Sequence, residues 1–195
     1  MITSSRRRGC IEVAKFEIPV WWKATEIPLT EVSLSKIRKY FHNPLPTHGL
    51  ESCVYAIRLA PPFSVAYGDG LELESPLIYV GSGNLKQRWM SHTKWLIEFG
   101  LTLPNGRYEV WFCQPKRKGP NAGLFYKDVE ADVLQWFRNK TGYLPFSNKK
   151  LQVPKYDNEY DKDFFKSLTA TDSRYHWVLY PRTAPLSTIY YKGCS

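Results

Sequence analysis

No apolar run in this 195-residue chain is long enough to cross a bilayer, so a helical membrane protein is not expected. The basic start Arg6-Arg7-Arg8 is not followed by the apolar stretch of a secretory signal, and a cytoplasmic location is expected. Cysteine is sparse: Cys10, Cys53, Cys113 and Cys194 stand far apart. They form no Cys-x-x-Cys pair and no Cys/His pair at zinc-ligand spacing, so they read as reduced, structural thiols and not as a metal site. Internal repeats, low-complexity tracts, a Gly/Ser-rich linker and a helix-turn-helix signature are also missing, so a core tethered by a flexible linker to a separate module is not expected.

A hydrophobic content of 43% with 23% charged residues reads as a soluble globular protein. The length suits one moderately large domain, or a small core with additions, able to bury a single good core. Net charge is +9, which favours a polyanionic partner, and its placement says more than its size. Residues 1–50 carry 8 basic and 4 acidic side chains and residues 101–150 carry 9 and 4, while the other stretches are near balance. Positive charge therefore brackets the middle of the chain, at Arg6-Arg7-Arg8, Lys116-Arg117-Lys118 and Lys149-Lys150. If about six of these touched phosphates, log K for DNA would fall with log salt at a slope of about −5.

The middle of the chain carries the densest pattern. Cys53-Val54-Tyr55-Ala56-Ile57 and Leu77-Ile78-Tyr79-Val80-Gly81 are short, rich in β-branched and aromatic residues, and read as strands. After Ser82-Gly83, Asn84 is placed to cap a helix, with Gln87 three residues on as the other half of a capping box. Within that helix Leu85, Arg88, Trp89, His92 and Leu96 follow steps of three and four and share one face. A guanidinium and an imidazole on a packing face call for partners, because their unpaired burial costs several kcal/mol.

Elsewhere the reading is coarser. Ile18-Pro19-Val20-Trp21-Trp22 is Pro-punctuated, with the two tryptophans open to either a core or an exposed-patch role. A helix follows, capped by Thr30 or Ser33 and ended by Asn43-Pro44. Residues 1–50 are taken as an arm for DNA contact or dimerisation. Between the tyrosine strands, Phe63-Ser64-Val65 and Leu71-Glu72-Leu73 flank Gly68-Asp69-Gly70 as a small hairpin. Arg107 to Gln114 alternates as a strand, Gly123 to Lys140 reads as a helix with Glu130 at the edge of its apolar face, and His176–Tyr180 and Thr188–Tyr191 read as strands. The expected class is α+β: a three-stranded antiparallel sheet flanked by two helices over residues 51–150, with a C-terminal extension over 151–195 packed on it.

The order Cys53-Val54-Tyr55, Tyr79-Val80-Gly81, Arg88, Glu130 and Asn148 resembles the GIY-YIG nuclease superfamily. The spacing of four between Arg88 and His92 is most like its type II restriction endonuclease branch. The segment between the tyrosine strands is longer than the family's usual hairpin, a difference that a surface loop absorbs at little entropic cost. The resemblance implies a DNA endonuclease that leaves a 5′-phosphate and a 3′-hydroxyl. By that resemblance Glu130 holds Mg²⁺, or Mn²⁺ in its place, Arg88 binds phosphate oxygens, and Tyr55 is the general base with His92 as its proton acceptor. Tyr79 hydrogen-bonds phosphate or the attacking water, and Asn148 anchors the site or contacts the backbone.

Lys116, Arg117, Lys118, Lys149 and Lys150 are the expected DNA contacts. The partners implied are double-stranded DNA and a second copy of the chain on a palindromic site, and the sequence leaves open whether a cognate methyltransferase exists. Two other readings stay open: a homing, mobile-element or repair nuclease of the same superfamily, and a non-catalytic nucleic-acid-binding module that stacks bases on its aromatics.

Overall fold

The computed structural model describes residues 21–28, 52–67, 73–115, 125–155, 158–161, 163–180 and 188–191. Along the chain it forms β1 (Trp22–Pro28), β2 (Cys53–Leu59), β3 (Phe63–Ala66), β4 (Glu74–Ser75), β5 (Leu77–Gly83), α1 (Leu85–Gly100), β6 (Arg107–Cys113), α2 (Phe125–Thr141), the single-turn α3 (Lys166–Thr169), β7 (Trp177–Tyr180) and β8 (Thr188–Tyr191). The class is α+β. Among these residues no helix is long and apolar enough to cross a membrane. The expected helix after Thr30 lies outside the described residues.

The main sheet is antiparallel in the order β1-β6-β2-β5. It has four strands where three were expected, because residues 22–28 of the segment read as an arm pair along β6, Trp22 opposite Phe112 and Pro28 opposite Arg107. Trp21 is buried in the core, its ring 5.3 Å from that of Phe164. An aromatic-rich N-terminal stretch is thus a sheet edge, which periodicity could not distinguish from an appended segment. Strand β2 is central and every residue of it is buried, which is why it reads as a continuous apolar run and not as an alternating one.

A second sheet runs β4-β3-β7-β8. Here the small hairpin is shifted: among the described residues β3 pairs with Glu74 and Ser75, in the register Val65 to Ser75 and Ala66 to Glu74, while Leu71 and Glu72 lie outside those residues. The Ser64 hydroxyl, donating to Glu74 at 2.9 Å, favours that pairing. The other side of β3 takes β7 in parallel, so the insertion and the C-terminal strands build one layer together.

Arg58 locks the layers. It is 5% exposed on β2, faces Glu109 across the sheet at 3.6 Å, and lies over the Trp111 ring at 4.9 Å. Its two terminal nitrogens donate to the carbonyls of Ser167 and Ala170, each at 3.1 Å, which closes the C-terminal end of α3. Glu109 is shared with Lys23 of β1 at 2.7 Å and with the Trp111 indole N–H at 2.9 Å. A buried cation with this many acceptors joins three parts of the chain far apart in sequence.

Candidate active site

The end of β5, with α1 and α2 beside it, gathers the residues singled out by sequence. Asn84 has extended backbone angles and its side chain accepts from the Gln87 backbone N–H at 3.2 Å, so α1 starts where the capping signal placed it. Leu85, Trp89, His92 and Leu96 are buried as the stripe predicted. Arg88 departs from it: the guanidinium belongs to an exposed residue, and its Nε lies 3.9 Å from where a Cβ on Gly83 would stand. A cation at the margin of the stripe keeps its hydration, which packing periodicity alone does not distinguish from burial.

Tyr55, fully buried on β2, bonds through its hydroxyl oxygen to His92 Nε2 at 2.8 Å. The Trp95 indole N–H donates to His92 Nδ1 at 3.1 Å. Tyr79 packs against the same imidazole, ring centroids 4.5 Å apart, and against the Tyr55 ring at 6.0 Å. Tyr55 pairs directly opposite Gly81, and the reason that position is glycine is visible. An added Cβ would stand 2.7 Å from both Cζ and the hydroxyl oxygen of Tyr55 and 2.8 Å from Tyr79.

Gly81→Ala is therefore expected to push Tyr55 away from His92 and to destabilise the fold by about 1–3 kcal/mol through overpacking. Urea unfolding checks this, and a wild-type midpoint would mean that the two phenols have room to spare.

From the other side comes Glu130 of α2, only 7% exposed, accepting a hydrogen bond from the Ser82 hydroxyl at 2.5 Å. By strand alternation Ser82 lies on the opposite face of β5 from Tyr79 and Gly81, so the carboxylate and the phenols reach the site from the two faces of an edge strand. They are nevertheless close enough to feel one another. The Arg88 charge favours ionisation of Tyr55, Tyr79 and Glu130 and disfavours protonation of His92. Burial dominates in each case. It pushes both phenols and the Glu130 carboxyl up, and pulls His92 down to about 4.

Asn148 has a structural partner. Its side chain copies a β-bridge on the free edge of β5, accepting from Val80 N–H at 2.9 Å and donating to Val80 C=O at 2.8 Å, while Ser147 N–H donates to Ile78 C=O at 2.9 Å. The return segment thereby covers an edge that would otherwise present unpaired backbone groups. Lys149 and Lys150 follow it directly and are exposed. Lys116, Arg117 and Lys118 lie outside the described residues.

No group of three His, Cys, Asp or Glu side chains is placed to hold a metal among the described residues. The site instead has one buried carboxylate, Glu130, with no lysine or arginine nitrogen in ion-pair distance among those residues. That donor set fits Mg²⁺, which takes one or two protein carboxylates and completes its shell with water and substrate phosphate. Sequence reasoning missed two members of the site, Ser82 and Trp95. Ser82 lies between two glycines and reads as turn material, and Trp95 follows His92 at a helical step of three and reads as packing. No family model matches the chain, and neither does any curated protein or solved structure.

Proposed function

We propose that this chain is a Mg²⁺-dependent endonuclease that hydrolyses phosphodiester bonds in DNA. Its core is of the GIY-YIG kind, and the restriction-enzyme branch is the form its residues fit best. The observation that carries this reading is the cluster of Tyr55, Tyr79 and His92 at β5, with Glu130 near enough for its charge to act on both phenols and Arg88 acting on all four. Hydrolysis needs a base for water, neutralisation of phosphate charge and a hold on the leaving oxygen, and these residues supply a group for each.

Glu130 is the residue that would hold the metal, which when bound neutralises phosphate oxygens and stabilises the leaving group. Hydrogen bonds from Ser82 and Gln152 orient its carboxylate in a buried place, where it could take a place in the metal's shell. Arg88, exposed and beside Gly83, is free to turn its planar fork onto non-bridging oxygens. Tyr55, as phenolate, would take the proton of the attacking water as the water oxygen bonds to phosphorus. The 3′-oxygen departs with a proton from solvent, leaving a 5′-phosphate and a 3′-hydroxyl. Tyr79, half-buried beside it, would hold the water or a phosphate oxygen, and Asn148 keeps β5 in place. Lys149 and Lys150 extend positive charge from the site along the DNA backbone.

The test is digestion of plasmid and phage DNA with Mg²⁺ and with EDTA. Discrete fragments with Mg²⁺ alone are the expected result, and their ends should ligate without kinase treatment. A smear would remove sequence specificity. Intact DNA under both conditions, with retained binding, would replace the nuclease with a binding module.

A further inference from the structure

His92 is held from both ring nitrogens by residues of different hydrogen-bonding capacity. An indole N–H donates and cannot accept. The Trp95 bond at 3.1 Å therefore requires an unprotonated Nδ1 on His92. A neutral imidazole then carries its one proton on Nε2, the nitrogen that lies 2.8 Å from Tyr55 Oη. While both bonds stand, the imidazole donates to the phenol oxygen, and the opposite sense would need an imidazole with no proton at all. The arrangement is buried: His92 is 7% exposed, Tyr55 is fully enclosed, and Tyr79 closes the ring's flank. Trp95 itself is half-buried and approaches the His92 ring edge-on, with centroids 5.8 Å apart.

We propose that Trp95 is a positioning residue which fixes His92 as the Nε2-protonated tautomer, so that the imidazole acts on Tyr55 as a hydrogen-bond donor. This reverses the proton-accepting role that the family resemblance implies for His92. A donor at Oη stabilises the phenolate and aims its remaining lone pairs at the attacking water. In this scheme the Tyr55 proton leaves to solvent before the chemical step. The phenolate then takes one proton from the water that attacks phosphorus, which restores the neutral phenol, while solvent supplies the proton for the departing 3′-oxygen, so the chain ends unchanged. His92 gains and loses no proton throughout. The arrangement parallels the way a hydrogen-bond partner on the second nitrogen sets which nitrogen of a histidine does the work.

The functional half of this inference rests on the nuclease reading, whereas the tautomer does not. Long-range ¹H–¹⁵N correlation spectra of the histidine rings at neutral pH report it directly, with a His92→Gln variant assigning the signals among the four histidines. The expected spectrum shows a protonated Nε2 and a bare Nδ1 for His92. A proton on Nδ1, or a doubly protonated ring, would overturn the proposal whether or not the chain cuts DNA. Trp95→Phe keeps the aromatic packing and removes the donor. It is expected to let His92 populate the other tautomer and to slow cleavage by about 10–100-fold, the usual effect of losing such a supporting contact. Unchanged ring signals, or a changed tautomer with unchanged cleavage, would overturn the positioning role. If the tryptophan variant does not fold, the wild-type spectrum still decides the tautomer. If the wild-type chain leaves DNA intact, the nuclease reading fails and the ring spectra stand on their own.

Discussion

Glu130→Gln is expected to abolish cleavage, by about 10²–10³-fold or more, and at the same time to raise the melting temperature at neutral pH. Both effects come from one carboxylate. Its burial pushes its pKa up, against the Ser82 hydrogen bond and the Arg88 charge, which pull the other way. A carboxyl whose pKa is higher in the folded chain than in the unfolded one favours folding while it is protonated. That contribution is present below the unfolded value of about 4.3 and is lost as the pH rises. Near pH 7–8 the ionised side chain therefore opposes folding. The glutamine amide has the same shape and no charge, and its Oε1 can still accept from Ser82.

The stability gap between variant and wild type should thus widen from pH 4 to pH 8. A chain of this length gains about 2–4 °C in Tm for each kcal/mol. DNA binding should stay within a few-fold, since a negative charge near the backbone phosphates is removed. Cleavage rates, a gel-shift titration and melting curves across pH separate the outcomes. Normal cleavage with Mg²⁺ would end the metal assignment. A lower Tm at pH 8 would mean that the charge is compensated in the folded chain. A site that destabilises its own fold until a cation arrives is a common exchange of stability for activity.

How much of this could be read from residues alone depends on whether the signal is local. The strand at Cys53–Leu59, the strand at Leu77–Gly83 and the capped helix after Asn84 were legible, because a fully buried apolar run, a glycine stop and an Asn cap are each written within a few residues. The extent of α2 was legible within about two residues for the same reason. Pairings across long stretches were not. Nothing within Trp22–Pro28 says that it adds to β6, some eighty residues on, and nothing in Phe63–Ala66 announces a parallel partner at Trp177–Tyr180. Their hydrogen bonds are set by what else the fold leaves open at each edge. Periodicity put Arg88 and His92 on one helix face, and burial then separated them, His92 enclosed and Arg88 exposed. Glu130 shows the converse: it reads as a boundary residue by spacing, and it is buried because Ser82 offers it a donor.

Tyr55→Phe is expected to lower the cleavage rate by about 10²–10⁴-fold, the usual worth of a positioned general base, with the fold intact. Phenylalanine keeps the ring that lies beside Tyr79 and beneath Gly81 and loses only the oxygen. The loss leaves the His92 Nε2 proton without its acceptor in a buried place, which costs about 1–3 kcal/mol of stability. The pH dependence of the wild-type rate carries more information than the variant alone. Burial and the neighbouring Tyr79 phenol hold the Tyr55 pKa above its ordinary value of about 10, so the phenolate is the minor form at neutral pH. The rate should then climb about tenfold per pH unit from pH 6.5 to 9 and show no plateau in that range. His92, held down to about 4 by burial and Arg88, contributes no titration step there. If His92 instead took the Tyr55 proton with an ordinary pKa near 6.5, the profile would bend at that pH and flatten above it. A flat profile, or a fully active phenylalanine variant with a native melting curve, would remove Tyr55 from the chemistry and leave its bond to His92 as part of the core.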